Sequence, residues 1–287
     1  MERRKKRKLI EAGAFLIVRS AALVIVLSLA VVVGFILFHG ASAVNWTFLT
    51  QPPREAMTAG GIFPAILGTL YLTAGAILVA FPAGVASAVY LSEYAREGRL
   101  VRIVRLAINN LAGVPSVVFG LFGLALFVVF FKFGSSILSG SLTLGLLILP
   151  VIIGASEEAL KAVPRTYREA SLALGATRWQ MIHRVVLPAA FPGILTATIL
   201  GIGRAAGETA PIMFTAAAFY TARLPTSIFD EVMALPYHIY VLATAGTHIE
   251  QTRPLQYATA LVLIALVLAV NLVAILLRAR MRRRRMS

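Results

Sequence analysis

The stretch EEALKAVPRTYREASLALGATRWQMIHRVVLP, residues 157–188, separates two apolar runs of membrane length and decides how the whole chain is read. It is dense in charge, yet it carries the marks of an ordered element. Pro164 suits the start of a helix, Arg165 to Leu174 are good helix formers, and Gly175 is the residue type that most readily ends one. Three-to-four spacing puts Tyr167, Ala170 and Leu174 on one side and leaves Arg168 and Glu169 for polar contacts. Such a helix cannot sink a face into lipid without stranding charge, whereas a groove on a water-soluble partner accommodates both faces. Trp179, Met181, Ile182, Val185 and Val186 then lead to Leu187-Pro188, where the next apolar run begins.

Working outward, 59% of the 287 residues are hydrophobic and the mean hydropathy is +0.85, more apolar surface than a water-soluble domain of this size can cover. Runs of about 20 apolar residues, the length that crosses a bilayer, lie near 15–38, 64–91, 106–131, 137–155, 189–219 and 255–277. They are continuous and rich in Leu, Val and Ala, not alternating. The expectation is therefore an all-α, polytopic protein of six transmembrane helices rather than a barrel. Residues 1–287 read as one membrane domain, with 156–188 as a cytoplasmic loop and 220–254 as an extracytoplasmic segment within it.

The formal charge of +15 is explained by where it falls. Threading six spans puts Arg3 to Lys8, Arg96, Arg99, Arg102, Arg105, Lys161 to Arg184 and Arg278 to Arg285 on one side. Arg54, Lys132, Arg223 and Arg253 are left on the other. The positive-inside rule then makes both termini and the long loop cytoplasmic. The terminal clusters are read as orientation signals that also touch anionic lipid, so the partner is the bilayer and not nucleic acid. Ala41-Ser42-Ala43 resembles a signal-peptidase site, but the run before it is too long for a cleavable signal and is read as an uncleaved anchor. Cysteine is absent, which removes disulfides and thiolate chemistry.

In the fifth run, Gly201-Ile202-Gly203-Arg204-Ala205-Ala206-Gly207-Glu208-Thr209-Ala210-Pro211 sets an Arg and a Glu four residues apart in apolar surroundings. Helical spacing puts both on one face. Charge at that depth is costly, so it faces the bundle interior, pairs, and marks a solute path. Arg204, Glu208 and Thr209 are the candidate pathway or gate residues, with a static ion pair that only fixes packing as the alternative. A guanidinium fork suits a tetrahedral oxyanion because it engages two oxygens at once. Pro82, Pro115, Ser116, Gly203, Gly207 and Pro211 are expected at kinks or close helix contacts, since Pro removes a helical hydrogen bond and small residues let backbones approach. Gly120 and Gly123 stand too close for the usual Gly-x-x-x-Gly dimer face.

The loop resembles the signature of the permease subunits of binding-protein-dependent ABC importers. Glu169-Ala170-Ser171, Gly175 and Leu187-Pro188 carry the likeness, with Ser171 and Val185 departing from the Ala and Ile of the pattern. It implies a type I ABC importer permease fold. It also implies that Glu169, Ala170, Ser171, Gly175 and Pro188 form a coupling helix and its flanks, moved by ATPase subunits. Asn110 to Ser116, Phe119 to Gly123 and Gly203 to Pro211 narrow the likeness to the PstA family of phosphate-specific importers. That implies a homologous permease subunit of the PstC type, two ATP-binding PstB-type subunits, an extracytoplasmic phosphate-binding protein, and a multi-pass place in a bacterial or archaeal inner membrane.

The chain contains no Gly-x-x-x-x-Gly-Lys-Ser/Thr phosphate cradle, so ATP and Mg belong on partner subunits and no cofactor, metal or catalytic residue is expected here. His39, His183, His238 and His248 are scattered, which disfavours a membrane-embedded enzyme. An ion-gradient-driven transporter is the more serious rival, and permeases for sulfate, molybdate or phosphonate would share the loop. On the outer side, Ile228, Phe229, Val232, Met233, Leu235, Tyr237, Ile239, Tyr240 and Leu242 among Asp230, Glu231 and His238 are expected to form a short interfacial helix. It either docks a binding protein or caps the bundle.

Overall fold

A computed structural model describes residues 2–245 and 249–283, most of them helical. The helices are α1 (Glu2–Gly40), α2 (Trp46–Thr50), α3 (Phe63–Val89), α4 (Arg99–Ala112), α5 (Ser116–Gly123), α6 (Ile137–Lys161), α7 (Arg165–Ala173), α8 (Arg178–Met181), α9 (Leu187–Gly207), α10 (Ala210–Thr215), α11 (Leu235–Thr244) and α12 (Ile249–Arg283). A two-residue antiparallel pair, β1 (Pro53–Arg54) and β2 (Ala59–Gly60), sits between α2 and α3. The basic residues Arg3 to Lys8 and Arg282 to Arg285, and His248, lie in side chain or entirely outside the described residues.

Among the described residues, five helical stretches are long and apolar enough to cross a membrane: Gly13–Ala43, Phe63–Tyr94, Ile137–Lys161, Arg178–Gly207 and Thr252–Arg280. The third expected span, 106–131, is not one helix. It is two, Arg99–Ala112 and Ser116–Phe130, meeting at 101° around Gly113-Val114-Pro115. The proline excludes the helical conformation from the residue before it, so the chain turns there rather than kinking. The count is six when the bent pair is taken as one span. Pro82, by contrast, sits inside an unbroken α3.

The centre of the fold is α3 against α6. Leu72, Ala76 and Ala80 recur every fourth residue on α3, as do Leu144, Ile148 and Ile152 on α6, and all six are buried in one cluster. Those ridges let the helices lie close. At Gly84 a Cβ would stand 2.6 Å from Ile152 Cγ2, so only glycine permits the approach. In lipid this contact gains little from the hydrophobic effect and depends on van der Waals fit. Helix α5 joins through the glycines given no dimer role: a Cβ on Gly123 would collide with Thr143 Oγ1, and one on Gly120 would lie 3.0 Å from Pro211 Cα. The exposed faces of α1 and α12 carry Phe15, Leu23, Leu27, Leu268 and Leu272, the surface lipid covers.

The segment expected on the outer side packs into the bundle. Its helix is shorter and later than expected, starting at Leu235, and buries Leu235, Pro236, His238, Val241 and Leu242. Ahead of it Val232 bridges to Ala217, and Leu235 N donates to the buried Thr69 Oγ1 at 2.8 Å. Residues 226–230 form a turn around the Asp230 carboxylate, which accepts from the backbone N–H groups of Thr226 and Ser227 and is held below the usual carboxylate range by them. His238 is driven the other way from charge: burial alone pushes its pKa from 6.5 to about 4.

Candidate functional site

The loop within 157–188 is two helices joined by a tight turn. Helix α7 starts after Pro164 and ends where Gly175 N donates to Leu172 O at 3.0 Å and Ala176 N to Ser171 O at 3.2 Å. Gly175 has φ +82°, the left-handed conformation that glycine adopts without a Cβ penalty. Thr177 then opens α8 with a capping box, its side chain on Gln180 N and the Gln180 side chain on Thr177 N. Beneath lies a cluster of Ala88, Leu160, Val163, Met181, Ile182, Val186, Ala190 and Ile194. Pro188 is half-buried at the start of α9.

The exposed side of this loop is apolar in part. Tyr167, Leu172, Leu174 and Trp179 are all exposed, Leu174 at 89%, while Glu169 and Ala170 stand beside them in the open. Four large side chains exposed on a charged loop make the kind of patch that marks an interaction surface.

Arg168, left for polar contacts, makes them within the chain. It turns inward: Nη2 lies 2.7 Å and Nε 3.2 Å from the two oxygens of Glu93, Nη1 donates to Val163 O at 2.8 Å, and Nη2 to Leu160 O at 2.9 Å. Sequence reasoning missed Glu93. The signal was available, since a Glu closing an apolar run beside basic loops needs a partner. Arg105, Glu157 and Lys161 form a second group nearby, with Arg105 Nη2 2.9 Å and Lys161 Nζ 3.0 Å from Glu157 Oε1. Glu93, Arg168, Arg105 and Lys161 line one polar cavity of about 650 Å³, together with Ser92, Glu97, Arg165 and Glu169.

The fifth run is broken where Gly207 and Pro211 were expected to kink it. Helix α9 stops at Gly207, Glu208 is extended at ψ 133°, and a separate helix α10 begins after Thr209. Arg204 and Glu208 still meet, with Nε 3.6 Å from Oε1, an ion pair too long for a hydrogen bond. Arg204 stands in the last turn of its helix, where a cation is favoured by the carbonyl dipoles. Both side chains are partly accessible, 32% and 17%, and beside them Gly207 faces open space. Pro211 packs under Gly120, so the break is locked against α5. Gly203 has only Asn271 Nδ2 near it, at 3.5 Å, and makes no tight helix contact.

Ser116 starts α5 just after the bend, with Pro115 as its N-cap. Arg204 and Glu208 are thus paired with Thr209 next to them in the chain, and the expected loop residues lie at the other end of α9. Along the chain between them runs α9 alone.

Residues 80–286 match the family described as binding-protein-dependent transport system inner membrane component. The chain is similar to the probable ABC transporter permease protein YqgI of Bacillus subtilis, 34% identical over 252 residues, 84% of this chain and 85% of that one. It is 39% identical over 241 residues to the phosphate transport system permease protein PstA 1 of Mycobacterium tuberculosis, covering 84% and 78%. To the phosphate transport system permease protein PstA of Xylella fastidiosa it is 34% identical over 268 residues, covering 93% and 92%. Among solved structures it resembles a chain of a bacterial alginate ABC transporter bound to its periplasmic protein, at TM-score 0.62 and 17% identity, covering 97% and 96%. A chain of the inward-facing MetNI methionine ABC transporter follows at 0.58 and 20%, covering 77% and 94%. At such identities the likeness is of fold, that of a type I ABC importer permease. From the second span almost to the last residue the family's pattern is continuous, and the chain belongs to the binding-protein-dependent transport system inner membrane component family.

Proposed function

We propose that this chain is a permease subunit of an ATP-driven importer that carries inorganic phosphate inward across the cytoplasmic membrane by alternating access. Identity of 34–39% to phosphate permeases over most of the chain is the observation that carries the substrate. Both termini and residues 156–188 face the cytoplasm in this reading. Glu169, Ala170, Ser171, Gly175 and Pro188 shape the lever, and Tyr167, Leu172, Leu174 and Trp179 seat it in an ATPase groove. The working complex adds a second permease subunit of the PstC type, two PstB-type ATPases holding ATP and Mg, and a phosphate-binding protein outside.

The chemistry of the passage rests on Arg204. When the path is empty, Glu208 neutralises it at 3.6 Å. An arriving oxyanion displaces that carboxylate, takes the guanidinium fork, and leaves when the carboxylate returns. A loose pair suits this exchange because little hydrogen bonding is lost on opening. ATP can bias the gate only through contacts that differ between the two states, and the inner loop supplies them.

Reconstitution of the complex in vesicles, with radiolabelled phosphate, sulfate and molybdate offered in turn, tests the proposal. Phosphate accumulation that needs ATP and is blocked by vanadate is the expected result. ATP-driven uptake of another oxyanion replaces the substrate; uptake by this chain alone on an ion gradient overturns the importer.

A further inference from the structure

We propose that the Glu93–Arg168 ion pair is the joint through which movement of the inner loop enters the second span, making these two side chains positioning residues for transport. The inference rests on the reading of 156–188 as an ATP-driven lever.

The attachment of α7 to the rest of the molecule is polar. Its large side chains Tyr167 and Leu172 point outward, and no residue of the helix is buried. What fixes its orientation is Arg168, which spends four hydrogen bonds inward, two on a carboxylate whose side chain is 5% exposed. A guanidinium gripping two carboxylate oxygens defines direction as well as distance, which an ammonium does not. Arg178 of α8 fastens to the same place: it donates to the Glu93 carbonyl, and its guanidinium lies 5.3 Å over the Tyr94 ring. Both helices of the loop are therefore pinned to one turn of another span, 75 residues away in sequence from Arg168.

That turn, Tyr90–Tyr94, is wound as a π-helix at the inner end of α3, closing with Ala95 N on Tyr90 O at 2.8 Å. A π turn carries one extra residue per turn and marks places where a helix is adapted to a task. The task here is aiming Glu93 sideways at the loop. From this turn α3 runs unbroken to the outer surface, packed along α6 and tied by Thr69 to the outer segment. A displacement of α7 thus reaches α3 directly, without passing through the covalent connections at either end of the loop. Glu93 and Arg168 are distinct from the pair Arg204 and Glu208 of the proposed passage, and neither is one of the exposed apolar groups proposed to seat the loop.

The chain lacks cysteine, which permits a reversible test. In the full complex, with other accessible thiols removed, Glu93→Gln and the pair Glu93→Cys/Arg168→Cys are compared with the parent for oxyanion taken up per ATP hydrolysed. Both variants are expected to hydrolyse ATP near the parent rate while uptake per ATP falls about tenfold, the size of an ordinary coupling term. Bridging the two cysteines with a short reducible cross-linker should restore coupling, and reduction should abolish it again. Unchanged uptake per ATP, or a bridged pair as uncoupled as the open one, overturns the joint. A second readout does not depend on the substrate: spin labels at Tyr90→Cys and Thr166→Cys, both exposed sites, report the α3–α7 distance. It should be narrow in the parent and broad with Glu93→Gln. Should the complex import no oxyanion, the transport reading fails while this width still judges the joint, and equal widths reject it.

Discussion

Gly123 on the bent third span faces Thr143 on α6 so closely that a Cβ on the glycine would collide with the threonine hydroxyl. Thr143 cannot retreat freely, because its Oγ1 donates to Ser139 O at 2.7 Å and the residue is fully buried. Gly123→Ala should therefore destabilise the bundle by about 1–3 kcal/mol, the range for overpacking a filled core. Adding Thr143→Ala removes Oγ1 and Cγ2 and leaves Cβ at 3.0 Å, so the double variant should recover part of the loss. Thermal unfolding in detergent reads both; equal stability of Gly123→Ala and the parent contradicts the contact.

Gly175 poses a separate question, because nothing surrounds it and only its φ of +82° demands glycine. A β-branched residue there costs about 1–2 kcal/mol of local backbone strain without a clash. Gly175→Val should leave the protein in the membrane but shift α7 relative to α8 and lower uptake at unchanged expression. Gly175→Asn, which tolerates the left-handed region, should stay near the parent. Equal uptake by the Val and Asn variants would show that turn geometry is irrelevant to transport.

Arg204→Ala removes the cation from the break in the fifth span and leaves Glu208 without its partner. Uptake should fall at least about tenfold at normal membrane level, the ordinary size of a lost charge-assisted contact of about 1.5–3 kcal/mol. Arg204→Lys keeps the charge but not the fork and should fall between. A pair serving only to hold helices together predicts loss of stability in step with uptake, so thermal unfolding beside transport separates the two roles.

His238 gives a pH dependence with a fixed sign. Its native pKa of about 4 lies below its ordinary 6.5, so the unfolded chain binds the proton more tightly than the native one. The native state keeps its full advantage above pH 6.5 and loses it as pH falls through that value toward 4. The total loss is on the order of 3 kcal/mol from a shift of this size. Unfolding followed from pH 8 to 4 should show a downward slope that His238→Gln lacks. Parallel profiles would place the group elsewhere.

Residues 157–188 declared a helix, a glycine stop and a charged surface from their order alone, because caps and left-handed turns are local decisions of a few adjacent residues. The apolar runs likewise fixed the membrane class, since a bilayer imposes one length on every helix that crosses it. What no local pattern could decide was which polar groups meet. Glu93 and Arg168 are far apart in the chain, and only the packing of α3 on α6 brings the end of one span beneath the loop. The 101° corner at Gly113-Val114-Pro115 and the break at Glu208-Thr209 also belong to the tertiary structure. Apolarity continues through both, so hydropathy reads each as one span. Pro115 makes the corner possible locally, but where α5 goes afterwards is set by Gly120 and Gly123, which let it pack against α10 and α6, a fit that exists only once all three are assembled.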